Sequence, residues 1–296
     1  MTRSVCLLVN PAAGGGKGKA RAAELAPLLS AAGLDVTVRM GSSAQESAAI
    51  AREVVDSGVD VLACVGGDGT LNQALPALRN SPTAVLVVPT GTGDDSARAF
   101  GHEGDNNELV SLIGGGATTT FDLGVVSTDA GERPFFTVVC AGFDSAVNHR
   151  ANELTWPTGQ AKYVRAVLET LARFKPIAYT LTLDDGEPRE VTGMLIAIGN
   201  GPTYGGGMQV CVGASPTDGA LNVTFVKEIS VGAFLRVFPK VYSGSFIGHP
   251  AIEQYQVGSI ELAGDAVAFA DGEPFGPLPA KVGIDPGSLR VVCPKV

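Results

Sequence analysis

Four glycine-rich loops carry the residues of this chain that could do chemistry on a phosphate. They span residues 10–18, 66–70, 89–98 and 199–207, and the second reads Gly66-Gly-Asp-Gly-Thr70. Glycine lets backbone N–H groups approach phosphate oxygens, and a helix that begins after such a loop favours negative charge. A carboxylate among bare amides, as at Asp68, indicates a divalent cation that bridges to the phosphate. By its position Asp68 is either an organiser of Mg²⁺ and nucleotide or a helix-capping acid.

The standard phosphate-binding motifs do not match these loops. A Walker motif ending at Gly16-Lys17 would need glycine where the chain has Pro11, and one ending at Gly18-Lys19 would need it at Ala13. No glycine spacing in the first three loops fits GxGxxG. A P-loop and a Rossmann dinucleotide site are therefore disfavoured.

Later acidic residues could bind a metal or accept a proton. Asp218, followed by glycine, is by itself equally well part of a turn, and Glu273 after Asp271-Gly272 would by itself be the tip of a β-hairpin. The three histidines lie in unrelated contexts and are interpreted as surface or loop residues: His102, His149 and His249.

The elements that must position these loops alternate over the first third of the chain. Short apolar runs predict strands over 5–9, 34–39, 59–65 and 84–88, and helical spacing predicts helices over 19–32, 46–56 and 70–78. Runs that are apolar on both faces are typical of a parallel sheet covered by helices. The first three glycine loops each follow such a strand, at the sheet edge where open α/β folds bind ligands.

Strands dominate after about residue 120. The pattern predicts strands over 118–126, 135–141, 177–183, 191–198, 221–226 and 259–269, with helices over 145–153, 163–174 and 231–242. We therefore expect an α/β fold class with two domains. Residues 1–125 with 286–296 form the parallel-sheet α/β domain, and residues 126–285 form a β-rich domain of the antiparallel sandwich kind.

Composition excludes several classes of protein. The 296 residues carry a net charge of −9, which argues against a nucleic-acid binder, since that class needs a basic footprint. No apolar stretch approaches the ~18–20 residues of a membrane-spanning helix. Five scattered cysteines without a CxxC pair are typical of reduced thiols in a cytoplasmic protein.

Taken in order, the motifs resemble those of the diacylglycerol kinase catalytic-domain family, which also contains sphingosine and ceramide kinases. The resemblance rests on Asn10-Pro11 with Gly14, Gly66–Thr70, Pro89–Arg98, Ala141-Gly-Phe-Asp144, Gly199-Asn-Gly201, Pro216–Leu221 and Asp271-Gly-Glu273. It covers nearly the whole chain. Gly-Gly-Asp-Gly-Thr alone is shared with NAD kinases, but the ordered set is far more specific.

The resemblance implies a site between a nucleotide-binding domain and a lipid-substrate domain, with ATP and Mg²⁺ as cofactors. The implied nucleotide contacts are Asn10, Pro11, Ala12, Ala13, Gly14, Ser42, Gly66, Gly67, Asp68, Gly69, Thr70, Leu71, Asn72 and Thr92. Asp218, with the carbonyls of Ser215 and Ala220, resembles the structural magnesium site. Glu273 resembles the proton acceptor, with Asp271 beside it, and Asp68 remains the alternative base.

One departure from the family pattern concerns the third loop. The usual Asn-Asp-Phe is Asp94-Asp95-Ser96 here, which adds a carboxylate and removes an aromatic side chain. We expect this difference to affect the choice of lipid more than the kinase chemistry.

The sequence therefore predicts an ATP- and magnesium-dependent lipid kinase, with diacylglycerol as the acceptor. An NAD kinase-like enzyme and a non-catalytic lipid- or nucleotide-binding regulator remain alternatives. The protein is expected to be cytoplasmic and to meet its lipid transiently at the membrane surface, without nucleic acid, and a homodimer remains open. The expected docking face comprises Arg150, Lys162, Arg165, Arg173 and Lys175 with Trp156 and Tyr163.

Overall fold

The computed structural model describes residues 2–91, 93–157, 160–171 and 173–294, and the chain divides into two compact units. The first unit comprises Met1–Leu123, Pro216–Asp218 and Asp285–Val296, and the second comprises Gly124–Ser215 and Gly219–Ile284. The predicted fold class is confirmed, because parallel strands build the first unit and antiparallel strands build most of the second.

The elements follow the chain in this order. The first part contains β1 (Ser4–Val9), α1 (Lys17–Ala31), β2 (Asp35–Met40), α2 (Ala44–Asp56), β3 (Val61–Gly66), α3 (Asp68–Leu78), β4 (Ala84–Pro89), α4 (Asp95–Phe100), α5 (Asn106–Gly115) and β5 (Thr118–Thr128). The second contains β6 (Gly131–Phe135), β7 (Val138–Gly142), α6 (Phe143–Glu153), α7 (Gln160–Leu171), β8 (Ile177–Leu183), β9 (Arg189–Gly199), β10 (Leu221–Lys227) and α8 (Val231–Val237). The last part contains β11 (Ile252–Val257), β12 (Ser259–Gly264), β13 (Val267–Ala270), β14 (Glu273–Pro277) and β15 (Ala280–Val292), and 3₁₀ helices span Ala13–Gly15 and Phe238–Ser243.

In the first unit the strands run parallel in the order β2–β1–β3–β4. Strand β1 is buried over five of its six residues, which explains its uninterrupted apolar sequence. Register places Val9 opposite both Met40 and Val65, and Gly66 opposite Pro89. The four strands therefore end together, and the loops that follow them start from one edge of the sheet.

The last strand returns to the first unit, to which the sequence analysis assigned residues 286–296. Val291 of β15 pairs in parallel with Val85 of β4. Beyond this pair the ring of His102 links the two strands, because its Nδ1 accepts the Val87 N–H (3.1 Å) and its Nε2 lies 2.8 Å from the Val292 carbonyl oxygen. These partners require a neutral ring that carries its proton on Nε2, and burial lowers its pKa.

His102 lies in the connection between α4 and α5 but is completely buried. Of the two interpretations, surface or loop residue, the loop is therefore right for His102 and the surface is wrong. A histidine between Gly101 and Glu103 in a short loop gave no signal that its partners would come from two distant strands.

In the second unit the strands are antiparallel. The order is β14–β13–β7–β9–β8–β12–β15, and β9 also pairs with β10, which pairs with β11. The inward-facing side chains form one apolar cluster that includes Phe135, Tyr179 and Phe225. The strand predicted over 259–269 is two strands, since the chain turns after Gly264. The helix predicted over 231–242 changes to a 3₁₀ helix at Phe238, next to Pro239.

No helix among the described residues is both long and apolar enough to cross a membrane.

Candidate functional site

The edge at which β1 to β4 end brings together most of the predicted nucleotide contacts. The first loop follows β1, Ser42 follows β2 by two residues, the Gly66–Thr70 loop joins β3 to α3, and Thr90 follows β4. Backbone hydrogen bonds hold these loops to each other: the Asn10 N–H donates to Val65 O (3.1 Å), and the Thr90 N–H donates to Gly66 O (3.2 Å). The sheet therefore arranges three glycine-rich loops side by side.

The first loop depends on glycine for both space and conformation. Gly14, Gly15 and Gly16 all have positive φ, between 59° and 99°, which other residues rarely adopt. A Cβ on Gly14 would lie 2.1 Å from the carbonyl oxygen of Thr90, so the loop contacts the segment after β4. Asn10 closes its own turn, because its Oδ1 accepts the Ala12 N–H (3.0 Å). The exposed glycines leave their backbone open to a ligand.

Asp68 is the first residue of α3, and its carboxylate faces the next loop. Its Oδ2 and Oδ1 accept the N–H groups of Asp95 (3.2 Å) and Ser96 (3.0 Å), at the amino terminus of α4. A Cβ on Gly93 would lie 3.5 Å from Asp68 Oδ2. The capping interpretation of Asp68 therefore describes its contacts in this structure. A carboxylate with two neutral donors keeps lone pairs for a cation.

Asp94 places a second carboxylate beside Asp68. The residue has a left-handed backbone, and its Oδ1 is buried without a hydrogen-bond partner among the described residues. A Cβ on Gly91 would lie 3.2 Å from this oxygen. Burial raises the pKa of the Asp94 carboxyl, the charge of Asp68 raises it further, and the Gly91 amide opposes both. An unsatisfied oxygen and a neighbouring carboxylate form an environment that a cation would stabilise.

Asp95 is buried and, unlike Asp94, forms an ion pair with an arginine, Arg98. Arg98 Nη2 donates to Asp95 Oδ1 (2.8 Å) and to the carbonyl oxygen of Gly93 (2.7 Å). The ion pair fixes the start of α4 against the loop that precedes it. Asp95 was not among the predicted site residues, although it lies in the loop whose departure from the family pattern the sequence showed.

These residues fit Mg²⁺ bound together with phosphate. Within the described ranges, no three His, Cys, Asp or Glu side chains come together as a metal site. Two carboxylates beside exposed backbone amides nevertheless match the usual Mg²⁺ arrangement, in which one or two carboxylates act with phosphate oxygens and water. Asp68 and Asp94 are the residues that would hold the ion.

Three predicted nucleotide contacts have other surroundings. The N–H and hydroxyl of Ser42 both donate to Glu46 Oε2, the former at 2.7 Å, so this side chain is already engaged in the turn before α2. The Leu71 side chain is fully buried, which leaves only its backbone for a ligand. Thr92 lies outside the described residues.

The predicted magnesium residues lie around a short segment of the first unit. Asp218 is exposed and belongs to that unit, whereas Ser215 and Ala220 belong to the second. Asp122 of β5, which the sequence analysis did not single out, is buried here: its N–H donates to Pro216 O (2.8 Å), and its Oδ1 accepts the Gly287 N–H (2.7 Å). A lone acid in a predicted strand was the only signal for Asp122. The magnesium role of Asp218 stays a prediction.

In the second unit the Asp271 carboxylate accepts several hydrogen bonds from neighbouring groups. Its carboxylate accepts the N–H groups of Phe136 (2.9 Å), Thr137 (2.8 Å) and Val138 (3.1 Å) and the Thr137 hydroxyl. These bonds explain why the strand predicted over 135–141 is interrupted between β6 and β7. Asn200 also stabilises this interruption, because its Nδ2 donates a hydrogen bond to Phe136 O (2.8 Å). Burial raises the pKa of the Asp271 carboxyl, and its hydrogen bonds offset part of the rise.

Glu273 lies two residues further on, at the start of β14. Asp271 (φ 48°) and Gly272 (φ 82°) form the two-residue turn of the β13–β14 hairpin, and Glu273 pairs with Ala270 across it. Arg133 Nη2 donates to the carbonyl oxygens of Ala270 and Glu273, both at 3.2 Å. The backbone of the hairpin tip is therefore fixed while the Glu273 residue is exposed. A general base requires this combination of a fixed backbone and an accessible carboxylate.

The second unit also contains an apolar cavity of about 80 Å³. It lies between α6–α8 and strands β9 and β10, and Phe143, Leu195, Val226, Phe234 and Phe238 are among its lining residues. Phe143 belongs to the Ala141-Gly-Phe-Asp144 motif, where Gly142 turns the chain from β7 into α6 with a φ of 102°. Among the lining residues that the structure describes, only Tyr204 and Thr224 have polar side-chain atoms, so the cavity is suited to hydrocarbon.

Comparisons with known proteins cover both parts of the chain. The diacylglycerol kinase catalytic domain matches residues 4–126, and the YegS C-terminal NAD kinase beta sandwich-like domain matches residues 137–293. A diacylglycerol kinase of Mycobacterium tuberculosis is 33% identical over 98% of this chain and 95% of its own length. A protein of Stenotrophomonas maltophilia named "Probable lipid kinase YegS-like" is 28% identical, covering 88% of each chain.

Solved structures show the same fold. A diacylglycerol kinase of Bacillus anthracis superposes with a TM-score of 0.73 at 20% identity, covering 99% of this chain and 97% of that one. An NAD kinase of Archaeoglobus fulgidus, solved in complex with ATP, superposes with a TM-score of 0.54 at 14% identity, covering 98% and 93%. At these identities the structures establish the architecture only.

Proposed function

The chain belongs to the diacylglycerol kinase and YegS-like lipid kinase family, and from this premise we propose that it transfers the γ-phosphate of ATP to a lipid hydroxyl in a Mg²⁺-dependent reaction. The proposed acceptor is diacylglycerol and the product is phosphatidic acid. A relative of 33% identity supports this acceptor.

The observation that carries the proposal is the apolar cavity of the second unit. An NAD acceptor is polar and charged, whereas the cavity is lined almost entirely by aliphatic and aromatic side chains. Apolar surroundings favour hydrocarbon because each buried CH₂ group contributes about 0.8 kcal/mol. The lining therefore favours the hydrocarbon part of a lipid acceptor over the charged groups of NAD.

The first unit would bind the nucleotide through backbone and carboxylate groups. The exposed amides of the first loop would donate to phosphate oxygens, and Asp68 and Asp94 would hold the metal ion. Mg²⁺, when bound, neutralises charge on the phosphates during transfer. Asp68 would also keep α4 in position through its bonds to Asp95 and Ser96. Asp218, with the carbonyls of Ser215 and Ala220, is proposed as a separate structural Mg²⁺ site.

The second unit would supply the proton acceptor. Glu273 is exposed on a fixed hairpin tip and would take the proton of the lipid hydroxyl. Asp271 is less suited to that role, because four donors already occupy its carboxylate. We assign Asp271 to positioning the hairpin. Asp68 remains the second candidate base.

A transfer assay with purified protein and γ-labelled ATP tests the proposal. The acceptors are dioleoylglycerol, monooleoylglycerol, ceramide and sphingosine in mixed micelles, and NAD in solution, each with and without Mg²⁺. We expect label in phosphatidic acid only when Mg²⁺ is present, and much less label with Asp68→Asn at the same protein concentration. Label in NAD alone would replace the proposal with the NAD kinase alternative. Binding of ATP and lipid without transfer would favour a regulator.

A further inference from the structure

The large apolar side chains that are exposed among the described residues are concentrated in one part of the second unit. Seven of the eleven lie between residues 156 and 247: Trp156, Val164, Leu168, Val231, Leu235, Tyr242 and Ile247. Trp156 is 73% exposed and Leu168 is 51% exposed. Scattered apolar residues on a surface need no explanation. Four of these seven, however, lie on α7 and α8, two helices that both pack other side chains on one apolar cluster.

Helix α7 has an apolar face that its own unit covers only in part. Ala166, Val167 and Leu171 are buried in an apolar cluster of the second unit. Val164 and Leu168 border Val167 and Leu171 at helical spacing and are each at least half exposed. One edge of this apolar face is therefore left in solvent.

Helix α8 and the 3₁₀ helix after it repeat this arrangement. Phe234 and Phe238 line the apolar cavity, whereas Val231 and Leu235, again four residues apart, are exposed. Arg236 and Lys240 are exposed in the same segment. Both helical segments therefore have an apolar face of which one edge packs on the cavity or its neighbouring cluster and the other edge is exposed to solvent.

The charge of these segments is opposite to that of the whole chain. Residues 160–175 contain four basic residues and one acidic residue, and residues 231–247 contain two basic and no acidic residues, whereas the chain carries −9. Exposed apolar side chains with basic neighbours are typical of surfaces that bind anionic bilayers. An acidic protein surface elsewhere would be repelled by such a bilayer, which favours contact through these helices alone.

We propose that the exposed faces of α7 and α8, here called the docking face and defined by Val164, Leu168, Val231 and Leu235, insert into the surface of an anionic bilayer. This inference rests on the proposed function, because membrane binding is needed only if the acceptor is a lipid of the bilayer. Insertion of helices whose inner faces line or adjoin the cavity brings the cavity next to the acyl chains.

The proposal changes the charged docking face expected from the sequence. Arg165 donates to Glu169 Oε1 (2.7 Å), and Arg150 contacts both Glu153 and Glu169 (2.9 and 2.7 Å). Arginines engaged in these ion pairs are less available for lipid headgroups. The Tyr163 side chain lies outside the described residues. Trp156 stays next to α7, since Arg165 Nη1 donates to its carbonyl oxygen (2.8 Å).

Vesicle sedimentation without ATP tests the docking face independently of catalysis. The probes are vesicles of phosphatidylcholine with or without phosphatidylglycerol, and the variants are Leu168→Asp, Leu235→Asp and the double variant. We expect the wild-type protein to bind the anionic vesicles, and each single variant to bind about tenfold more weakly. Leu28→Asp is the matched control, since Leu28 is a similarly exposed helical leucine of the first unit. Equal loss in this control, or normal binding by the double variant, would overturn the proposal.

Two further measurements separate the remaining outcomes. Phosphorylation of a short-chain diacylglycerol below its micellar concentration should be unchanged in Leu168→Asp, whereas phosphorylation of long-chain diacylglycerol in vesicles should fall. A wild-type protein that binds vesicles but phosphorylates neither lipid would contradict the proposed function and leave the docking face intact. Sedimentation equilibrium checks self-association: a dimer that Leu168→Asp dissociates would make this face a contact between two copies.

Discussion

Asp271 in the second unit and Asp94 in the first are acidic residues with left-handed backbone and partly buried carboxyls, yet they differ in the hydrogen bonds that their carboxylates accept. Three N–H groups and a hydroxyl donate to the Asp271 carboxylate. Asp94 has a buried oxygen without a partner among the described residues, and Asp68 is close enough for its charge to raise the Asp94 pKa. An acid whose oxygens are all supplied with donors stabilises the backbone around it, whereas an acid with a buried oxygen that lacks a donor can stabilise a bound cation. The contacts therefore assign different roles to two residues of the same type.

The largest effect on activity is expected at Glu273, two residues after Asp271. Glu273→Gln should lower kcat by about 10²–10⁴-fold, because the amide keeps the shape of the side chain but cannot accept a proton. The KM for ATP should stay nearly unchanged. Steady-state kinetics in mixed micelles measure both constants.

Asp68→Asn is the comparison for Glu273→Gln. It should raise the KM for Mg·ATP as well as lower kcat, since the loss of charge weakens the hold on the cation. A Glu273→Gln enzyme with near-normal kcat would move the role of base to Asp68.

Asp271→Ala should destabilise the protein by about 3 kcal/mol, because it leaves the N–H groups of Phe136, Thr137 and Val138 without their acceptor. Urea unfolding followed by circular dichroism measures the change. Asp271→Asn keeps two lone pairs and should lose less. If Asp271→Ala were as stable as the wild type and lost only turnover, the positioning role would be wrong and Asp271 would be a catalytic residue.

His102 of the first unit resembles Asp271 in that it is buried and its polar atoms have hydrogen-bond partners. His102→Ala should cost about 2 kcal/mol, since Val87 N–H and Val292 O both lose a buried partner. Burial lowers the pKa of His102 below its ordinary 6.5, so the unfolded chain binds the proton more tightly. The stabilising contribution of neutral His102 is present above pH 6.5 and declines as the pH falls below that value.

His102→Gln isolates this titration, because the amide can accept from Val87 and donate to Val292 without binding a proton. Between pH 7 and 5 the melting temperature of this variant should fall less than that of the wild type. Parallel curves for the two proteins would show that His102 does not titrate on unfolding.

The smallest effect on stability is expected at Asp94, whose Oδ1 has no hydrogen-bond partner among the described residues. Asp94→Asn should change the free energy of unfolding by less than about 1 kcal/mol, and in the stabilising direction, because it removes a charge that is partly buried beside Asp68. Mg·ATP affinity should fall, which isothermal titration with a non-hydrolysable analogue measures. A loss of stability comparable with that of Asp271→Ala would remove the distinction between the two acids.

Local patterns in the sequence were sufficient for the parallel strands of the first unit. Strands β1, β3 and β4 are apolar without interruption because both of their faces are buried, and this pattern needs no knowledge of their neighbours. Helix α5 was missed although Asp105 and Glu108 form a capping box, which is a local signal. A search for that motif would have found the helix.

Other features depend on contacts between distant residues and leave no local pattern. The interruption between β6 and β7 exists because Asp271, more than 130 residues away in sequence, provides the acceptor for its amides. The motif at Asp271 and Glu273 was visible in the sequence. The division of roles between the two residues depends on which groups of the folded chain donate hydrogen bonds to each carboxylate. The partner-free oxygen of Asp94 is likewise a property of the folded chain.

The return of β15 to the first unit has a consequence for the order of synthesis. Residues 285–292 provide Val291 and Val292, which pair with β4 and accept the His102 hydrogen bond, yet the ribosome produces them after nearly all of the second unit. The first unit therefore cannot complete its sheet while it is the only part of the chain outside the ribosome. Until then the β15 side of β4 lacks its neighbour, and an unpaired strand edge is a site for incorrect association. A nascent chain arrested before residue 285 should consequently depend on chaperones, even though its glycine-rich loops have already been made.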